Sequence, residues 1–180
     1  MGSMELNPEA VGRIKAFTFD VDGVLTDGGI YAVNNDLLRR FDAKDGFVLR
    51  MAAMNGYKLG IITGGVSQTI VQRFIRFGFD EQDIYLKSRN KVEQLQDFCD
   101  RHGLKANEVV YCGDDIPDIG AIMMSGIGAC PSDAVAEVIQ AADYVSPYPG
   151  AGGFVRNLVE SIMKAQGKWI LDMEKYKARF

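Results

Sequence analysis

The chain has 180 residues, 47% of them hydrophobic and 24% charged, with a formal net charge of -4. That balance fits one soluble domain with a sizeable core, and the acidic sign argues against a broad nucleic-acid footprint, which needs clustered Lys and Arg. No apolar run is long enough for a membrane span, Cys99, Cys112 and Cys130 form no CxxC pair, and a single histidine cannot build a multi-His metal site.

Met1-Gly2-Ser3-Met4 reads as a cloning scar (residues 1–4), leaving one domain over 5–166 and a tail over 167–180. With no visible signal peptide, reduced thiols and a cytoplasmic location are expected. Ile14 to Phe19 is an apolar run that ends at Asp20 and reads as a buried strand. Gly28 to Asp36, followed by Leu37–Phe41, reads as a β-hairpin with Asn-Asn-Asp turn chemistry. Helical patterns then alternate with short apolar strands. The helices are expected over Gly46–Asn55, Ser67–Phe77, Asn90–His102, Ile116–Ser125, Ala134–Ala141 and Gly153–Ala165. The strands are Leu59–Ile62, Asp83–Leu86, Val109–Cys112, Ile127–Cys130 and Tyr144-Val145. This alternation predicts an α/β three-layer, Rossmann-like sandwich with a mainly parallel sheet. The tail after Gly167 is amphipathic and carries Lys175, Lys177 and Arg179. His102 closes a helix, where a cation suits the dipole.

Ligands of such a sheet bind at the carboxyl ends of its strands. Asp20 and Asp22 follow the first strand, Thr63 the second, and Asp114, Asp115 and Asp118 the fourth. Lys91 opens the helix after the third. Carboxylates gathered this closely raise one another's pKa or recruit a cation. A hard, oxygen-seeking Mg²⁺ is the expected partner. Asp118 alternatively caps a helix, and Asp27 is read as a turn residue.

Asp20-x-Asp22-Gly23-Val24-Leu25-Thr26-Asp27, Thr63-Gly64, Lys91 and Gly113-Asp114-Asp115-x-x-Asp118 together resemble the four motifs of the haloacid dehalogenase (HAD) superfamily. The resemblance implies roles. Asp20 would be the nucleophile that forms an aspartyl-phosphate, and Asp22 the general acid and base. Thr63 would hold a phosphoryl oxygen, and Lys91 would neutralise charge. Asp20, Asp114 and the backbone carbonyl of Asp22 would hold the metal. Asp115 would orient Lys91 or a metal-bound water, with Asp118 as support.

Neither gap between the motifs has room for a cap domain. Asp27 to Asp45 holds the hairpin, and Thr63 to Lys91 holds one helix and one short strand. Asp27-Gly28-Gly29-Ile30-Tyr31, Phe41-x-x-Lys44-Asp45-Gly46-Phe47 and Tyr148 to Arg156 narrow the resemblance. They are similar to the capless phosphatases of lipopolysaccharide synthesis, the 3-deoxy-D-manno-octulosonate 8-phosphate (KDO 8-phosphate) phosphatase family. That resemblance implies a homotetramer in which a neighbouring subunit covers the site, and a phosphorylated sugar acid as substrate. Two departures bear on the sugar. Gly65 stands where relatives often carry a larger side chain, and Leu86-Lys87-Ser88-Arg89-Asn90 replaces a glycine-containing turn. Gly64, Gly65, Lys87, Arg89 and Arg156 are candidate substrate contacts. Lys87 and Arg89 are alternatively solvated loop charges, and Arg156 a structural ion pair. Rival readings are a phosphatase of nine-carbon sugar acid 9-phosphates, a non-catalytic phosphatase-like accessory domain, and a phospho-acceptor domain of the response-regulator type.

Overall fold

The computed structural model describes residues 5–33 and 36–177. The expected scar at 1–4, the Asn34-Asn35 turn, the Lys175 side chain and Arg179 lie outside the described residues. In chain order, α1 (Pro8–Arg13) leads into β1 (Ala16–Phe19). The hairpin follows as β2 (Thr26–Val33) and β3 (Asp36–Phe41), then α2 (Ala43–Met54), β4 (Lys58–Ile62), α3 (Gln68–Ile75) and β5 (Ile84–Tyr85). The second half runs α4 (Lys91–His102), β6 (Val109–Cys112), α5 (Ile119–Met124), β7 (Ile127–Cys130), α6 (Ala136–Ala141), β8 (Tyr144–Val145), α7 (Phe154–Ala165) and α8 (Met173–Lys177).

The main sheet has the order β5-β4-β1-β6-β7-β8 and is parallel throughout. β1 lies at its centre. The chain first builds outward through β4 and β5, then returns to the other side of β1 with β6. The crevice beside the end of β1 is therefore the topological switch point, where a doubly wound sheet binds its ligand.

Alternation along the buried strands feeds two cores. Phe17 and Phe19 of β1, with Val110 and Cys112 of β6, enter the cluster beneath α2 and α7. Ala16 and Tyr111 enter the opposite cluster, beneath α4, α5 and α6. Successive side chains of a strand point to opposite faces, so a strand covered on both sides must be apolar throughout. Thr18 is the polar exception in β1, and its hydroxyl donates to the Val110 carbonyl at 2.9 Å. In α7, Phe154, Val155, Leu158, Val159, Ile162 and Met163 form the buried stripe. Each large aliphatic or aromatic side chain buried this way contributes about 1.5–3 kcal/mol.

The differences from expectation are local. The unexpected α1 starts at Asn7, whose Oδ1 accepts from the N–H groups of Glu9 and Ala10 at 2.9 and 3.2 Å. α2 begins before Gly46 because Asp42 caps it, accepting from Lys44 N–H at 2.7 Å. The helix expected over Ile116–Ser125 is a 3-10 turn at Ile116–Asp118 followed by α5. Asp83 leaves the expected third strand and pairs with His102 at 2.8 Å, which anchors the C-terminus of α4. Among the described residues no helix is long and apolar enough to cross a membrane. The three cysteines are buried and free.

The hairpin stands apart from the main sheet. β2 and β3 pair only with each other, and Ile30, Tyr31, Val33, Leu37 and Leu38 are exposed on it. Among the described residues the connections after β1 and β4 carry no cap domain.

Candidate active site

Asp20 directly continues β1, and its N–H still donates into the ladder, to the Cys112 carbonyl at 2.9 Å. The chain then turns sharply. Val21 O accepts from Leu25 and Thr26 N–H, and Thr26 Oγ1 accepts from Gly23 and Gly28 N–H, both at 3.2 Å. Gly23 has φ +81, and a Cβ there would sit 1.9 Å from Asp114 Oδ2. The loop after β1 can therefore approach the loop after β6 only with glycine at this position.

Lys91 is the first residue of α4, and its ammonium joins these two loops. Nζ lies 2.9 Å from Asp20 Oδ2 and 2.6 Å from Asp118 Oδ1. Asp118 is wholly buried and fully bonded. Its Oδ1 also accepts from the Tyr111 hydroxyl at 2.6 Å, and its Oδ2 accepts from Asp114 and Asp115 N–H at 3.1 and 3.2 Å. Asp118 thus orients Lys91 and ties down the loop that carries Asp114. Of the two roles expected of Asp115, the contact with Lys91 is made by Asp118 instead. The Asp115 side chain is exposed and caps the 3-10 turn, accepting from Ile116 N–H at 2.8 Å, because the tight turn aims residue 118, not 115, back at the cluster.

Burial raises the Asp20 carboxyl to about 6, with Asp118 adding to the shift and Lys91 opposing it. Burial likewise raises Asp114 to about 7, reinforced by Asp20, Asp118 and Asp115. Burial also penalises the Lys91 charge, but Asp20 and Asp118 outweigh it and its pKa is raised. Tyr111 is pushed well above its ordinary value, chiefly by burial, so its hydroxyl stays a donor to Asp118. The cluster holds more negative charge than one lysine can neutralise.

Oxygens of Asp20, Asp114 and Asp118 all lie within 4.8 Å of one another. Asp118 has its lone pairs committed to four donors. Among the described residues Asp114 Oδ1 is buried with no hydrogen-bond partner. A buried carboxylate oxygen without a donor costs desolvation energy unless a cation meets it. Asp20 and Asp114 are thus suited to a hard divalent ion, with Asp118 behind them.

Asp22 points elsewhere. Arg39 of β3 grips its carboxylate along both oxygens, Nε to Oδ1 at 2.6 Å and Nη2 to Oδ2 at 3.1 Å. Thr63 ends β4 and is buried, and its Oγ1 accepts from Gly65 N–H at 3.1 Å. The loops after β4 and β5 interlock, since Ser88 N–H donates to Thr63 O at 2.9 Å and Lys87 N–H to Gly65 O at 3.0 Å. Beside them a cavity of about 540 Å³ is lined by Leu37, Arg39, Gly64, Gly65, Ser67 and Thr69, among others.

A family model described as haloacid dehalogenase-like hydrolase matches residues 52–158. The chain belongs to the haloacid dehalogenase-like hydrolases. Among curated relatives, the 3-deoxy-D-manno-octulosonate 8-phosphate phosphatase KdsC of Escherichia coli K12 is 33% identical over 157 residues, 87% of this chain and 82% of that protein. The Moraxella catarrhalis phosphatase of the same name, solved with magnesium, phosphate and KDO, superposes with TM-score 0.87 at 28% identity, covering 94% of this chain and 97% of that one. The cobalt-bound Haemophilus influenzae enzyme gives TM-score 0.84 at 28% identity, over 92% and 97% of the two chains.

The remaining candidates of this HAD-like chain divide. Lys87 and Arg89 are exposed on the loop beside Thr63 and Gly65, and among the described residues neither forms an ion pair. Lys87 has φ +54, a left-handed conformation that suits the glycine expected in such a turn. Arg156 stands with its structural alternative. Its Nε meets Glu160 at 2.6 Å, and its guanidinium lies 5.2 Å from the ring centroids of Phe47 and Trp169. Its N–H donates to buried Asp45 at 2.9 Å, which caps α7 from α2. Asp27 accepts from Gly29 N–H and from Arg40, as a turn residue would. Sequence reasoning missed Tyr111 and Arg39. Tyr111 read as one more apolar strand residue, and nothing in the hairpin's composition singled out Arg39.

Proposed function

We propose that the chain is a magnesium-dependent phosphatase that hydrolyses a phosphorylated sugar acid of the KDO 8-phosphate type. The observation that carries this reading is the convergence of Asp20, Lys91 and Asp114 at the switch point, with Asp114 Oδ1 buried and lacking a donor. The relatives' phosphatase names and the magnesium and phosphate in the Moraxella structure support it.

In this reading Asp20 attacks phosphorus as the ester P–O bond breaks, and Asp22 gives its proton to the departing alkoxide. A water then attacks the aspartyl-phosphate, its proton returns to Asp22, and the Asp20–phosphorus bond breaks. Each residue ends as it began. Lys91 keeps the attacking carboxylate aimed and offsets the phosphoryl charge. The Thr63 hydroxyl, which accepts from Gly65, keeps its proton to donate to a phosphoryl oxygen. Asp20, Asp114 and the Asp22 backbone carbonyl would hold Mg²⁺, which neutralises and orients the phosphoryl group when bound. Phosphoryl transfer is mostly positioning and charge stabilisation, so this set of groups is sufficient.

With no cap, the site needs cover from elsewhere. The apolar hairpin supports a homotetramer in which a neighbour supplies it, and light scattering on the purified protein checks this. Steady-state kinetics on KDO 8-phosphate, nine-carbon sugar acid 9-phosphates and hexose phosphates test the substrate. The eight-carbon ester should have the highest kcat/KM. Equal turnover of simple hexose phosphates removes the sugar-acid assignment, and preference for a nine-carbon ester redirects it.

A further inference from the structure

The Arg39–Asp22 pair is not an ordinary surface ion pair. The Arg39 side chain is only 5% exposed, although it comes from a hairpin whose other face is open to solvent. Leu37, Arg39 and Phe41 share one face of β3 by strand alternation, and Phe41 packs on the main core. Arg39 is thereby carried over the strand ends. Its guanidinium meets the Asp22 carboxylate as a fork on a fork, while Nη1 donates to the Leu37 carbonyl at 3.2 Å. Two parallel charge-assisted bonds fix the plane of a carboxylate as well as its place.

The guanidinium lies beside the loop after β4. A Cβ at residue 65 would be in ordinary contact with it, 3.5 Å from Arg39 Nη2 and 3.4 Å from Thr63 Oγ1. Asp22 itself is about one-third exposed, and among the described residues its ion pair is with Arg39.

We propose that Arg39 is a positioning residue for the reaction, acting through Asp22. It holds one edge of the carboxyl group and leaves the other edge to carry the proton that is given to the leaving oxygen and later taken from water. The hairpin thus contributes to the chemistry as well as to the outer surface. The proposal rests on the phosphatase reading and on the role assigned there to Asp22.

The test uses leaving groups. A p-nitrophenolate departs without a proton, whereas an alkoxide needs the acid. For wild type, Arg39→Gln and Arg39→Lys, kcat/KM is measured on p-nitrophenyl phosphate and on an alkyl phosphomonoester, with Mg²⁺ present. The expected result for Arg39→Gln is a loss on the alkyl ester about 10- to 100-fold greater than on the aryl ester. Arg39→Lys, which keeps the charge but not the fork, should fall between. The ratio is taken on one preparation, so a partly unfolded variant cancels out of it. In a second arm, Arg39→Gln is added to Asp22→Asn and should cost little more, because both changes act on one group. Equal losses on the two esters, no loss on either, or full additivity with Asp22→Asn would overturn the proposal. If wild type hydrolyses neither ester, the phosphatase reading fails first, and the role of Arg39 falls with it.

Discussion

The inner and outer halves of the site are built differently. The inner half, Asp20, Lys91, Asp114, Asp118 and Tyr111, lies at the ends of β1 and β6 and the start of α4. Its anchors are buried, and Asp118 alone accepts from four donors. The outer half, Asp22 with Arg39 and the loops around Gly65 and Lys87, rests on a hairpin and on connections at the rim. The inner cluster can hold phosphoryl chemistry to a fixed geometry because the sheet fixes it. The outer half stands on surface connections, where the sequence can change without disturbing the core.

Changes in the inner half should cost most. In the proposed mechanism Asp20→Asn removes the nucleophile, so kcat should fall by about 10⁴-fold or more while substrate still binds, as calorimetry would show. Activity close to wild type would break the division outright. Asp118→Asn comes next. A carboxamide cannot accept from Lys91, Tyr111 and two backbone N–H groups at once, so kcat should drop by about 10²–10³-fold. Chemical denaturation should show about 3–5 kcal/mol lost, the usual cost of removing one partner of a buried pair.

Metal and pH join the two measurements. Asp20 and Asp114 have raised pKa values, about 6 and about 7, from burial and then from neighbouring acids. A divalent ion binds their ionised forms, so the rise in Tm caused by Mg²⁺ should be full at about pH 8 and fade as pH falls through 7 and 6. A Mg²⁺-induced shift that is unchanged at about pH 5 would contradict these ligands. Asp45 provides a contrast away from the site. Burial raises it to about 7. An acid with a raised folded-state pKa stabilises below its unfolded value, near 4, and loses that contribution as pH rises through 7. Asp45→Asn should keep the acceptor for Arg156 N–H and flatten that decline, with a gain of about 1–3 kcal/mol at alkaline pH.

The smallest effects belong to the rim. Lys87→Gly relieves a left-handed non-glycine residue and should change stability by no more than about 1 kcal/mol. If it also lowers kcat/KM on an acidic sugar phosphate but not on a neutral one, Lys87 is a substrate contact, and the outer half reaches further than the hairpin.

The inner half was legible from the chain because its residues sit at strand ends marked by apolar runs. The strands Ala16–Phe19, Lys58–Ile62 and Val109–Cys112 lie where Phe19-Asp20, Ile62-Thr63 and Cys112-Gly113 announced them. Motif order then suggested the roles proposed above. The exchange of Asp115 for Asp118 was not legible, because it depends on a 3-10 turn that a helical pattern over 116–125 conceals. α1 was missed although Asn7-Pro8-Glu9 is a start signal, since six residues are too few to show a period. Arg39 was beyond reach for a different reason. Its meaning comes from the path of β3 over the sheet, which is not written locally.

In the proposed mechanism Asp20 is the nucleophile of a covalent step. The direct test is mass spectrometry of acid-quenched Asp22→Asn protein after exposure to a phosphomonoester and Mg²⁺. Asp22→Asn slows the loss of phosphate from the enzyme, so a peptide carrying one added phosphoryl group on Asp20 is predicted, absent from Asp20→Asn. A variant that turns substrate over while Asp20 never carries phosphate, or that carries it on another residue, would contradict the account.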